Sequence, residues 1–152
     1  MFGAGCFWSV QLVFDKLPGV LASYVGYAGG HTDDPTYQEV CTDQTGHAEV
    51  VQIEFDPEQI SYEALVRVFF ENHNPTTLNR QGADVGSQYR SAVFYYDDEQ
   101  KAVAERFKAD LSASNRFKNP IVTEIEPAGK FTMGEEYHQK YLAKRGKDSC
   151  SL

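Results

Sequence analysis

A chain of 152 residues, 41% hydrophobic and 24% charged, reads as one globular domain and not as a disordered segment. At this length a fold buries about 70% of the unfolded chain's surface. The formal net charge of -8 argues against nucleic-acid binding, which calls for a basic patch. No apolar run approaches the roughly 20 residues that span a bilayer, and no signal-like segment is found, so no membrane partner is expected.

Apolar residues at Phe7, Val10, Phe14 and Leu17 mark one face of a helix from Cys6 to Leu17, ended by Pro18-Gly19. Val20 to Val25 reads as a strand closed by Gly26. Ala48 to Asp56 is a clearer strand, because Val51, Ile53 and Phe55 alternate with Gln52, Glu54 and Asp56. Ser61 caps a helix whose face is Tyr62, Leu65, Val66, Phe69 and Phe70. Ser91 to Tyr96 is a short strand. Asp97, with Gln100 three residues on, opens another helix in a capping-box pattern, with Val103, Phe107 and Leu111 on its face. Ile121 to Ile125 reads as a strand and Gly134 to Leu142 as a last short helix. Alternating strands and helices predict a two-layer sheet with helices packed on it, in a single domain over residues 1–152.

Two polar segments interrupt this scheme, Gly29 to His47 and Glu71 to Arg90. Each is roughly twenty residues long, and loops of that length inside a small domain usually serve function. Their Gly, Asn, Thr and Tyr content suits ordered loops lining a site. The segment from Ala143 to Leu152 is polar and is expected to be a mobile tail. The first motif begins almost at Met1, which leaves room for a longer natural N-terminus.

The three cysteines, Cys6, Cys41 and Cys150, form no Cys-x-x-Cys pair. An odd number at long spacing points to free thiols in a cytoplasmic protein. A cysteine is most often a small buried hydrophobe. Cys6 stands out because it lies at a helix start, where backbone N–H groups favour a thiolate. Gly3 and Gly5 permit a tight turn and a close approach by substrate. Phe7 fits the core stripe, whereas Trp8, the single tryptophan, lies off it and suits the wall of an apolar pocket for a small neutral group.

Glu49 shares the parity of Val51, Ile53 and Phe55, so it points to the buried face if strand pairing extends that far. A buried carboxyl has a raised pKa and can act as a general acid. Tyr37 and Tyr89 lie one in each long loop and carry neutral donors, but nine tyrosines make composition a poor guide among them. Asp84 lies in Gly82-Ala83-Asp84-Val85-Gly86, a setting that usually means a turn. His31, His47, His73 and His138 show no metal-ligand spacing, so no metal is expected. A Cys6–His47 pair remains an alternative, which would make the protein a cysteine hydrolase.

Gly3-Ala4-Gly5-Cys6-Phe7-Trp8 resembles the signature of the methionine sulfoxide reductase A family. The resemblance continues through Pro18-Gly19-Val20, Val25-Gly26-Tyr27-Ala28-Gly29-Gly30 and Pro35-Thr36-Tyr37-Gln38-Glu39-Val40-Cys41. It runs on through Gly46-His47-Ala48-Glu49-Val50-Val51, the segment from Gln81 to Ser91, and Glu136-Tyr137-His138-Gln139-Lys140-Tyr141-Leu142. These motifs cover nearly the whole chain in order. Ser9 departs from the glycine more common after the tryptophan.

The resemblance implies an α+β two-layer sandwich of ferredoxin-like type, with a mixed sheet, packed helices and long ordered loops. The short N-terminus leaves that family's first strand absent or partly formed. The implied activity is thiol-dependent reduction of methionine S-sulfoxide, free or in peptides and proteins, as repair after oxidation. Cys6 would attack the sulfur, Phe7 and Trp8 would cage the methyl group, and Glu49 would protonate the oxygen. Tyr37 and Tyr89 would hydrogen-bond that oxygen and Asp84 would organise the polar side. The resulting sulfenic acid would be resolved as a disulfide by Cys150, since the eight residues from Ala143 to Cys150 reach about 25–29 Å when extended. Cys41 resembles a non-catalytic position. No cofactor is implied; thioredoxin or a similar dithiol would recycle a monomeric enzyme.

Overall fold

A strand of three residues, β1 (Phe2–Ala4), occupies the middle of the sheet, so the short N-terminus still supplies a formed central strand. The computed structural model describes residues 1–144. Cys150 and most of the expected tail therefore lie outside the described residues.

Helix α1 (Phe7–Asp15) follows β1, and β2 (Val20–Ala28), α2 (Tyr37–Cys41), β3 (Ala48–Phe55) and α3 (Tyr62–Glu71) come next. A small hairpin of β4 (Arg80–Gln81) and β5 (Asp84–Val85) precedes β6 (Ser91–Tyr95), α4 (Asp98–Ala113), β7 (Glu124–Pro127), β8 (Thr132–Met133) and α5 (Tyr141–Lys144). The main sheet has the order β7-β6-β1-β3-β2-β8. Each neighbouring pair among its four central strands is antiparallel, and β7 joins β6 in parallel. The order β6-β1-β3-β2, with α1 and α3 as crossovers, is the expected ferredoxin-like α+β sandwich, extended by one short strand at each edge.

The helices cover one face. Phe2, Phe7, Phe14, Val25, Tyr27, Val51, Leu65, Val66, Phe69 and Phe70 form the main core there. Each such side chain contributes about 1.5–3 kcal/mol by leaving water. A smaller cluster of Ala28, Ala48, Val50, Ala92 and Phe94 lies on the opposite face, under Ala128 and Phe131.

Caps follow the sequence closely. Ser61 Oγ accepts from the Ala64 N–H at 3.1 Å. Asp97 accepts from the Gln100 N–H at 2.8 Å, but the Gln100 side chain returns to the N–H of Tyr96, so only half of the predicted box forms.

Three elements differ from expectation. β2 runs through Gly26 to Ala28, because a glycine there admits the Thr132 carbonyl and the Phe131 ring against the strand. The strand expected at Ile121–Ile125 starts later, at Glu124, because the Val122 N–H is taken by the Pro75 carbonyl at 2.8 Å. The expected last helix is split into a 3-10 turn at Glu136–His138 and α5. Gln139 there bonds both the N–H and the carbonyl of Val25, and Lys140 takes φ 57°, a left-handed conformation that no helix continues. α5 also reaches two residues into the expected tail.

Both long segments are ordered. The first contains α2, and the second contains the hairpin and a 3-10 turn at Ser87–Tyr89. Asp43 ties them together by accepting from the Ser87 N–H at 3.1 Å and from its hydroxyl. Among the described residues, no helix is long and apolar enough to cross a membrane, and no cluster of three metal-ligating side chains occurs.

Candidate active site

Cys6 is the residue immediately before α1, and its own backbone is extended, at φ -56° and ψ 119°. Gly5 turns the chain there with φ +93°, and a Cβ on it would strike the Gln81 side chain at 2.7 Å. Gln81 is itself fixed by bonds to the N–H and carbonyl of Asn74, both at 2.9 Å. The turn bearing the thiol is thus roofed by the hairpin segment, and Cys6 remains half-buried.

Glu49 lies beside it. Its Oε1 accepts from the Phe7 N–H at 3.2 Å, the first N–H of α1. The residue is 2% exposed and its Oε2 has no hydrogen-bond partner among the described residues. Strand pairing does extend to this position, since Glu49 pairs with Tyr27 across β3 and β2. Burial pushes the carboxyl up to about 8, the Phe7 N–H opposes that, and the charge of Asp84 adds to it. At neutral pH Glu49 is mainly a neutral acid.

Tyr37 begins α2 and Tyr89 ends the 3-10 turn of the second long segment. Burial raises both phenols. Tyr37 is further raised by its hydrogen bond with the Cys41 thiol and by the charge of Glu49; Tyr89 is raised by Glu49, Asp84, Cys41 and Cys6. Both are therefore neutral donors around Glu49. Asp84, half-buried in β5, faces the same group of charges.

Phe7 is 1% exposed and packs on Tyr27 and His138, with ring centroids 5.7 and 5.1 Å away. Trp8 is half-buried. Its indole N–H donates to His138 Nδ1 at 3.0 Å, and its ring stacks on Tyr141 at 3.8 Å and 13°. His138, fully buried, also lies 4.4 Å from the Tyr37 ring.

Three contributors were not singled out from sequence for this site: Tyr27, Glu135 and His138, the last weighed only as a metal ligand. Each lies within or beside a motif that carried the family resemblance, but nothing in residue type or spacing separated it from its neighbours. Cys41 is an exposed thiol hydrogen-bonded with the Tyr37 hydroxyl.

The structure does not bring His47 into this group. Its Nδ1 accepts from the Gly30 N–H at 3.1 Å and its Nε2 donates to the Thr32 carbonyl at 2.6 Å. With both nitrogens spent on loop backbone, the Cys6–His47 hydrolase is not supported. His47 instead lines a cavity of about 620 Å³ with His31, Arg90, Phe94 and Glu124, which none of Cys6, Glu49, Tyr37 or Tyr89 lines. His73 bonds the Phe69 carbonyl and Ser91, away from the thiol.

The model of the family described as peptide methionine sulfoxide reductase matches residues 1–152. The chain is 54% identical over 149 residues to the peptide methionine sulfoxide reductase MsrA of Methanoculleus marisnigri, covering 98% of this chain and 91% of that protein. It is 54% identical over 151 residues to the protein of the same name from Acidobacterium capsulatum, covering 99% and 97%. Among solved structures, the reduced form of Mxr1 from Saccharomyces cerevisiae superposes with a TM-score of 0.89 at 37% identity, covering 95% of this chain and 83% of that one. Methionine sulfoxide reductase A of Corynebacterium diphtheriae gives 0.83 at 38% identity, covering 95% and 73%. The chain belongs to the peptide methionine sulfoxide reductase family, and with it to the oxidoreductases.

Proposed function

We propose that this protein reduces methionine S-sulfoxide to methionine by oxygen transfer to the thiol of Cys6. The observation that carries the reading is the pair formed by Cys6 and Glu49. A thiol at a helix start lies next to a buried carboxyl that is mainly protonated at neutral pH and, among the described residues, has one oxygen unpartnered.

A sulfoxide oxygen leaves sulfur only after it gains a proton, and the sulfur becomes electrophilic as that proton arrives. Glu49 supplies the proton, while the neutral hydroxyls of Tyr37 and Tyr89 donate hydrogen bonds to the same oxygen. Asp84 helps keep Glu49 protonated by its charge. The Cys6 thiolate, favoured by the N–H groups opening α1, attacks the sulfur. Phe7 and Trp8 hold the methyl group, with the indole fixed by His138 and Tyr141. The protonated oxygen passes to the Cys6 sulfur as a sulfenic acid, the substrate's sulfur–oxygen bond and the transient bond between the two sulfurs both break, and methionine leaves.

Cys150 then attacks the sulfenic sulfur, releasing water and forming a disulfide. Thioredoxin, or a similar dithiol, reduces that disulfide by exchange. In this reading the enzyme needs no cofactor, acts as a monomer in the cytoplasm on free or protein-bound methionine sulfoxide, and repairs oxidised proteins.

Trapping tests the reading directly. Cys150→Ser protein is mixed with a methionine S-sulfoxide peptide and a sulfenic-acid-selective carbon nucleophile, then analysed by mass spectrometry. Labelling of Cys6 that requires the sulfoxide is expected. An acyl adduct, or no change at Cys6, contradicts it.

A further inference from the structure

Helix α2 has five residues, too short to be stable by itself. Its capping box satisfies two backbone donors. Thr36 Oγ1 accepts from the Glu39 N–H at 3.2 Å, and Glu39 Oε1 accepts from the Thr36 N–H at 3.1 Å. The N–H of Tyr37, the first residue of the helix, is not served by that box. It donates instead to Glu135 Oε2 at 3.0 Å, across 98 positions of sequence.

The other oxygen of Glu135 is equally committed. Oε1 accepts from the Tyr27 hydroxyl at 2.9 Å. Tyr27 is fully buried on β2 and is the cross-strand partner of Glu49. One carboxylate thus links the start of α2 to a phenol fixed in the core, one strand away from the acid. The hydrogen bonds run from Tyr27, adjacent to Glu49, through Glu135 to the backbone of Tyr37.

We propose that Glu135 is a positioning residue that holds the Tyr37 phenol in register with Glu49 by clamping the start of α2 to the Tyr27 hydroxyl. The proposal rests on the reading of Tyr37 as a donor to the sulfoxide oxygen. Glu135 itself touches no reacting atom. Its action is geometric: without the clamp, α2 is held at its start by its own capping box, and the Tyr37 hydroxyl is free to drift from the oxygen it must meet. A displacement near 1 Å at such a donor costs up to about 10²-fold in rate.

The test is a double-mutant cycle on methionine release in a single turnover, at saturating methionine S-sulfoxide peptide and without added reductant. Glu135→Ala is expected to slow release about tenfold or more with little change in the half-saturating sulfoxide concentration. Glu135→Gln is expected to stay within about threefold of wild type, because its amide oxygen can accept from Tyr37 and its amide N–H can donate to the Tyr27 oxygen. In a Tyr37→Phe background, Glu135→Ala is expected to slow release no further, since the hydroxyl it positions is gone.

If Tyr37→Phe slows release and Glu135→Ala slows that variant by the same factor as wild type, Glu135 does not act through Tyr37 and the proposal falls alone. If Tyr37→Phe leaves the rate unchanged, the donor reading of Tyr37 and the proposal fall together. Should Glu135→Ala not fold, Tyr27→Phe is the second variant. It keeps the core ring and removes one end of the clamp, and it is expected to slow wild type but not Tyr37→Phe. An equal effect in both backgrounds overturns the proposal.

Discussion

Tyr27 and Glu49 are paired across β2 and β3, both on the helix-covered face, 0% and 2% exposed. The carboxyl of this pair and the one bound to its phenol have opposite protonation habits. Among the described residues Glu49 has one N–H partner, that of Phe7, and it is pushed up to about 8, chiefly by burial. Burial also acts to raise Glu135, but the N–H groups of Tyr37 and of Glu135 itself, the Tyr27 hydroxyl and His138 together outweigh it, holding that carboxyl below the usual range. Divergent environments of this kind separate a proton donor from a fixed anion. Here they separate the acid beside Cys6 from the anion that anchors α2.

The rate of methionine release should fall as pH rises through about 8, where Glu49 loses its proton. Glu49→Gln should be slow at every pH and should lack that falling limb. The gap between the two proteins is therefore widest below about pH 8 and narrows above it. Quenched-flow release between about pH 6 and about pH 9.5 measures both profiles. Parallel profiles remove Glu49 as the acid.

The same carboxyl costs stability. Its folded value of about 8 lies above the ordinary carboxyl value of 4.5, so the folded state holds a proton that the unfolded state releases. Stability from this group is full below about pH 4.5 and is lost as pH rises toward about 8. Glu49→Gln avoids the loss, which is on the order of 5 kcal/mol at alkaline pH. Denaturant unfolding should show the variant gaining on wild type from mildly acid pH upward and levelling off above about pH 8. An equal offset at all pH values contradicts the burial of an acid there.

Asp84→Asn should move the alkaline limb to lower pH. The charge of Asp84 is one of the forces raising Glu49, and removing it lets Glu49 ionise sooner. The shift should be a fraction of a unit, because burial is the larger cause. The pH profile of single-turnover release reads it, and a shift to higher pH contradicts the sign.

Tyr37→Phe and Tyr89→Phe each remove one neutral donor from the region around Glu49. Hydrogen bonds to a developing charge are worth about 1.5–3 kcal/mol, so each change should slow release by about 10- to 100-fold. The double variant should be slower than either single one. The check is the release rate at saturating sulfoxide, where a loss confined to binding would leave it unchanged.

Much of this arrangement was legible before any coordinates. The period-two pattern of β3 carried Glu49 onto the face of Val51 and Ile53, and pairing with β2 extends far enough to bury it. Cys6 at the start of α1 followed from the apolar spacing of Phe7, Val10 and Phe14. What stayed illegible was long-range. Tyr37 meets Glu135 across 98 positions, and Trp8 meets His138 across 130, contacts that no local period encodes. The end of the chain was misread for a related reason. Gln139 binds the backbone of Val25 and breaks a helix that local apolar spacing alone would continue.

The most direct measurement of the central claim counts methionine. Fully reduced protein is mixed with excess methionine S-sulfoxide peptide and no external reductant, and methionine is quantified against protein. Wild type should release a stoichiometric amount in one burst and lose the Cys6 thiol; Cys150→Ser should give the same burst but no thioredoxin-driven turnover; Cys6→Ser should release none. A burst well below stoichiometry from active protein, or full release from Cys6→Ser, contradicts oxygen transfer to Cys6.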